Sequence, residues 1–198
     1  MSSKAGVGRQ RMRRTVRALV GVALAAGGVL LMLNHALLRQ TETVLAAALA
    51  DAVTPGSMYV VPGSFSFFWA SATPEMHGLR ITPECTVAFL VGPLLILAGL
   101  ILASGRFSLS RTLLATTLSA GVLVLANQAR IVLIAWATAK WGVADGYQWS
   151  HTVGGSVVVG IGVALALTAF IIALTAGRRR SRGQTQTPRH SAVGHRAS

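Results

Sequence analysis

The sequence predicts an all-α fold: a polytopic membrane helix bundle of about four transmembrane helices, with a small extracytoplasmic segment of amphipathic and hairpin-like character. Three observations predict it. Hydrophobic residues make up 53% of the 198-residue chain and charged residues only 12%, where a soluble domain carries about a quarter charged residues. The apolar residues fall into four long runs separated by short polar stretches. The charges are segregated, with bases in some segments and acids in others.

Residues 1–17 carry Lys4, Arg9, Arg11, Arg13, Arg14 and Arg17 with no acid, and read as a flexible basic arm. Residues 18–38 are the first apolar run, long enough to cross a hydrocarbon core of about 30 Å as a helix. A cleaved signal peptide has a shorter apolar region ending at small residues. Here the run continues through Leu30, Leu31, Met32 and Leu33 to Leu38, which favours an uncleaved span. Residues 39–84 hold four of the five acids: Glu42, Asp51, Glu75 and Glu84. Apolar residues at 44, 45, 48, 49, 52 and 53 keep a helical period, with Thr41 as the cap, as in a helix lying along the membrane surface. Residues 59–65 read as extended chain around a Pro62-Gly63 turn. Phe67, Phe68 and Trp69 suit the membrane interface.

Residues 85–176 form the core, with three further spans. The second span covers about 86–103, and Arg106 and Arg111 flank the loop after it. The third runs from about 112 to 139 and is interrupted by the polar cluster Asn127-Gln128-Ala129-Arg130. The loop 140–150 holds Trp141, Asp145, Tyr147 and Trp149, and the fourth span runs from about 152 to 176. Residues 177–198 have the composition of a disordered basic tail.

The net charge of +13 follows from this layout. With four spans and a cytoplasmic start, the arm, the 104–111 loop and the tail all lie inside. They hold most of the basic residues and none of the acids, a positive-inside distribution. Basic juxtamembrane segments bind anionic lipid headgroups, so membrane lipids are the expected partners of these charges and nucleic acid is not. The four tryptophans map to the outer side, as interface anchors do.

The same layout aligns three reactive side chains. Cys85, the only cysteine, opens span two, and His151 opens span four, both on the outer side. Arg130 lies about 18 residues into span three, or about 27 Å from its inner end at 1.5 Å per residue. A Cys, an Arg and a His therefore share one depth. Singly, Cys85 reads as inert packing and His151 as an interfacial polar group. Arg130 within a helix is costly to insert and points to function, unless it snorkels to the interface.

Together the three suit cysteine nucleophilic catalysis. The thiolate is the nucleophile, His151 could take its proton and return it to a leaving amine, and Arg130 could hold an oxyanion or a substrate carboxylate. Asn127 precedes Arg130 by three residues on the same helical face and could orient it, donate to the oxyanion, or simply bond another helix. Glu84 beside the thiol would raise its pKa, unless it points to solvent or binds substrate. No cofactor is called for. No metal site is expected either, since zinc needs three or four ligands and only His77, Glu75 and Glu84 could be recruited. Gly154, Gly155, Gly160 and Gly162 read as helix-packing positions.

Pro83-Glu84-Cys85-Thr86 entering a span, Asn127-Gln128-Ala129-Arg130-Ile131 within the next, and Ser150-His151-Thr152-Val153-Gly154-Gly155 opening the last together resemble the exosortase/archaeosortase family. The resemblance covers about residues 80–160. It implies a multi-pass cysteine transpeptidase or protease of the bacterial plasma membrane, with both termini cytoplasmic and the active site on the outer face. The family's Cys, Arg and His would map onto Cys85, Arg130 and His151. Its clients would be exported proteins ending in a recognition motif, a transmembrane helix and a basic cluster. The alternative is a non-enzymatic membrane scaffold or assembly factor with Arg130 as a structural buried charge. A transporter using Arg130 to bind an anion is disfavoured by the lack of an inverted repeat.

Overall fold

The computed structural model describes residues 3–54, 56–70 and 76–183. In chain order it contains α1 (Ser3–Leu33), α2 (His35–Asp51), β1 (Met58–Val61), β2 (Ser66–Ala70), β3 (Met76–Arg80), a 3-10 turn (Pro83–Cys85), α3 (Ala88–Ala103), α4 (Leu109–Trp141) and α5 (Gly155–Gly183). Two π-helical turns, Gly142–Tyr147 and Ser150–Gly154, join α4 to α5.

Three stretches are long and apolar enough to cross a membrane: Gln10–Leu33, Leu109–Tyr147 and Ser150–Ala176. The expected second span is the shorter apolar helix α3. It begins only at Ala88 because Pro83, Glu84 and Cys85 take the tighter 3-10 turn first. The remaining boundaries differ in instructive ways. Residues of the expected flexible arm are helical from Ser3 onward. The first span stops at Leu33, not at residue 38, because Asn34 leaves the helical region and bonds the Leu30 carbonyl through Nδ2. The polar cluster at 127–130 does not interrupt α4, whose backbone ladder runs unbroken beneath it. The loop expected at 140–150 is wound into the π turns, and α5 continues to Gly183; residues 184–198 of the expected tail lie outside the described residues.

The helices pair as α1 with α3 and α4 with α5, and α3 also contacts α4. Glycine sets the first pairing. A side chain on Gly21 would come within 2.7 Å of the Gly99 carbonyl oxygen, and one on Gly28 within 2.5 Å of the Gly92 carbonyl oxygen. The two backbones thus touch at glycines seven residues apart on each antiparallel helix. This is how membrane helices without a hydrophobic driving force gain dispersion contacts. In the second pair Gly162 lies against Ala126, while Gly160 faces open space.

At the opposite end from the α3–α4 turn, β1, β2 and β3 form an antiparallel meander, with Met58 opposite Trp69 and Ser66 opposite Arg80. The Pro62-Gly63 turn forms as its sequence suggests, with Gly63 at φ +76° and Ser64 N–H donating to the Val61 carbonyl. The expectation of an interfacial Phe67 and Trp69 is corrected: both are fully buried. Strand alternation puts them on one face, where they meet Ala46, Ala47 and Ala50 of α2 and Ile131, Ile134 and Ala135 of α4.

On α2, Val44, Leu45 and Leu49 point outward, as does Val53 just past its end, and Arg39, Glu42, Thr43, Ala46, Ala47 and Ala50 are the buried side. Small alanines admit the sheet and α4 at close range, and the leucines are left to lipid. The helix also starts at His35 behind Asn34, so Thr41 is not its cap. Arg39 is satisfied internally: Nε and Nη2 donate to the Ile81 carbonyl at 3.1 and 2.6 Å, and the guanidinium lies 4.1 Å over the Phe65 ring.

Replacing Gly21 or Gly99 with Leu should separate α1 from α3 and lower stability by about 1–3 kcal/mol, the usual cost of overpacking. Gly27→Leu, which meets open space, should be near neutral. Thermal unfolding in detergent checks the contrast.

Candidate functional site

The site forms where the 3-10 turn, α2, α4 and the second π turn converge. The turn holds Cys85 half-buried against the Phe67, Trp69 and Ile81 cluster. Its Sγ lies 4.0 Å from His151 Nε2, at the limit of a sulfur hydrogen bond, although 66 residues separate the two. Tyr147 stacks on the His151 ring, with centroids 5.1 Å apart and planes at 23°. Tyr147 ends the first π turn and His151 lies in the second, so the ring stack bridges the two turns.

Asn127 fixes the level of Cys85. Its Nδ2 donates to the Cys85 carbonyl at 3.0 Å and to Glu42 Oε1 at 2.8 Å. The other Glu42 oxygen accepts the Thr86 hydroxyl at 2.6 Å, and Oε1 also accepts the Val87 N–H at 2.8 Å. Thr86 Oγ1 in turn accepts the Ala88 N–H. The first amides of α3, which any helix leaves unpaired, are therefore satisfied by Thr86 and by a carboxylate from another helix. Burial raises the pKa of Glu42, while the hydrogen bonds from Thr86, Val87 and Asn127 and the nearby Arg39 pull it back down.

Arg130 extends toward the start of α5. A side chain on Gly155 would lie 3.0 Å from its Nε and 3.0 Å from the Ser150 carbonyl oxygen, so the arginine packs closely on that glycine. That Nε is buried and has no hydrogen-bond partner among the described residues. Gly155 lies four residues after His151.

Glu84 does not enter this arrangement. It is exposed, and the hydrogen bond from its own backbone N–H, then the Thr82 hydroxyl, hold its carboxyl below the usual range, with Arg39 and His35 adding to the effect. The ionised form is favoured, and that contribution is lost as pH falls through the lowered value. The Thr82 hydroxyl also lies 3.4 Å from Cys85 Sγ, so its one proton has two acceptors within reach. His77 packs edge-on against Trp69, and Glu75 lies outside the described residues. Among the described residues no cluster of three His, Cys, Asp or Glu side chains is placed to hold a metal.

The sequence matches the family model described as transmembrane exosortase over residues 7–169. The chain belongs to the transmembrane exosortase family. Neither curated proteins nor solved structures gave a match. The exosortase match runs from within α1 to about the middle of α5, and so includes α2 and the sheet as well as the three sequence motifs.

Glu42, Thr82, Thr86 and Tyr147 were not among the residues that sequence reasoning placed at the site. Glu42 had a signal: an acid in register with the alanines at 46 and 50, on a face where acids are not expected unless buried and bonded.

Asn127→Ala would remove the side-chain donor to the Cys85 carbonyl and leave Glu42 Oε1 with only the Val87 N–H, and should cost about 1–3 kcal/mol of stability. Asn127→Asp should cost more at neutral pH, because it sets a second carboxylate against Glu42. Acidification, which protonates Glu42, should narrow the gap. Thermal unfolding at two pH values measures both.

Proposed function

We propose that this exosortase is a membrane cysteine transpeptidase or protease that cleaves the C-terminal sorting signal of exported clients. The approach of Cys85 Sγ to His151 Nε2 at 4.0 Å carries the reading. His151 takes the thiol proton, and the thiolate attacks the carbonyl carbon of the scissile peptide. Arg130, whose Nε has no internal partner, holds the oxyanion or a neighbouring substrate carboxylate. His151 returns the proton to the leaving amine, and the C–N bond breaks to leave a thioester on Cys85. An acceptor amine, or a lipid or glycan hydroxyl, resolves the thioester and releases the thiol. Tyr147 keeps the imidazole aligned, and Asn127 holds the peptide that carries Cys85.

The distribution of charge supports an extracytoplasmic site with both termini in the cytoplasm. Arg14 and Arg17 line a cleft of about 440 Å³ beside Ala103, Ser104 and Gly105 at the basic end, a setting for anionic headgroups. The client's transmembrane tail would lie alongside the bundle, which raises its effective concentration and fixes its approach.

A scaffold reading makes Arg130 purely structural, but a structural buried arginine is expected to be satisfied internally, as Arg39 is. Cys85→Ala should leave the client at full length in membranes, and His151→Ala should slow processing by about 10²-fold or more. Arg130→Lys should not restore activity, since an ammonium lacks the planar fork. Client size on a gel is the readout. A normally processed client with Cys85→Ala would overturn the proposal and favour the scaffold.

A further inference from the structure

We infer that Glu42 is a positioning residue that holds Cys85 against His151, an inference that rests on the catalytic reading of those two side chains. Glu42 is carried by α2, a helix that contributes no group to the proposed chemistry. Yet its carboxylate reaches the residues on the C-terminal side of the nucleophile. It accepts from Thr86 Oγ1 and the Val87 N–H, the two positions after Cys85, and from Asn127 Nδ2, which also binds the Cys85 carbonyl.

One side chain therefore joins three elements: α2, the entry to α3, and α4. The chain that carries Cys85 is tied at its carbonyl to α4, and at the next amide and hydroxyl to α2. His151 follows α4 through the π turns, so fixing Cys85 to α4 fixes it to His151. Without Glu42, Asn127 loses one of its two acceptors, and the Val87 amide has none in its place.

A carboxylate is an expensive way to cap α3. Glu42 is only 4% exposed, and burying a charge costs free energy that a neutral local cap does not. Thr86 already satisfies the Ala88 amide from within the sequence. What Glu42 adds is a connection that no local residue can make, from α2 across to Asn127. Its distinctive property is three acceptor contacts on a short, rigid reach.

The chain has a single cysteine, so alkylation of the full-length protein in membrane vesicles by iodoacetamide reports on Cys85 alone and needs no client. His151→Ala should slow alkylation by about tenfold at neutral pH, because the thiolate is the reacting form and loses its base. Glu42→Ala should slow it to a similar extent. The double variant should be no slower than either, since each substitution removes the same Cys85–His151 contact and their effects are non-additive. Glu42→Gln should recover the rate to within about threefold. Its amide oxygen can still accept from Val87 and Asn127, and its NH2 can donate to Thr86. Glu42→Asp, one methylene short, should not recover it.

A folded Glu42→Ala protein that alkylates at the parental rate would overturn the inference, as would losses that multiply in the double variant. Should Glu42→Ala fail to fold, the other two variants decide: recovery by Asp but not by Gln would mean that charge, and not the hydrogen-bond frame, is what matters. The alkylation result is independent of the client assay, so a failed transpeptidase reading and a failed positioning role give different outcomes.

Discussion

The Glu42 carboxylate is the constraint on which the site depends. Three donors from two other elements converge on it, and it sits where the sheet, α2 and the bundle meet. A buried carboxylate tolerates no missing partner, because an unsatisfied charge in a low-dielectric interior costs far more than a neutral hydrogen bond returns. The bonds are therefore mutually supporting. Thr86, Val87, Asn127 and α2 are in place together, and Cys85 is carried with them. Arg39, three residues earlier on the same face, closes the other side by binding the Ile81 carbonyl just ahead of the turn.

Around this point the bundle divides its labour. The α1–α3 pair is held by glycine backbones in contact, which demands shape and little else. The α4–α5 pair carries the polar side chains, Asn127, Arg130 and Ser119, the last donating to the Ala166 carbonyl. Cys85 enters on one pair and His151 on the other. Their meeting depends on α3 docking to α4, and α2 lies across that junction like a brace.

Much of this was legible in the sequence, and the reasons are physical. Apolar runs and segregated charge reveal a membrane bundle because lipid leaves no alternative. The depth argument set Arg130 at the level of Cys85 and His151 because helical rise is constant; Asn127, three residues before Arg130, bonds the Cys85 carbonyl. The helical period of α2 was legible but not which side packs on the protein, because hydrophobicity does not distinguish protein from lipid in a membrane. There, leucines face outward and small residues pack, so the alanines at 46, 47 and 50 were the better guide. Trp69 was misplaced because an aromatic cluster near an interface looks the same whether it anchors a membrane or fills a core. Only its pairing in β2 decides between them. The π turns left no pattern to read, because an extra residue per turn is set by the fit between α4 and α5 and not by local composition.

The brevity of α3 has a consequence for the surrounding bilayer. Its 16 residues reach about 24 Å at 1.5 Å per residue, several ångströms less than a typical hydrocarbon core of about 30 Å. Its neighbours α1 and α4 have length to spare. Such hydrophobic mismatch is relieved by thinning the lipid along the short helix's flank. The dimple would bring water and headgroups down to the end of α3 where Cys85 sits. Cys85 would then meet solvent where the membrane is thinned, with no channel through the protein.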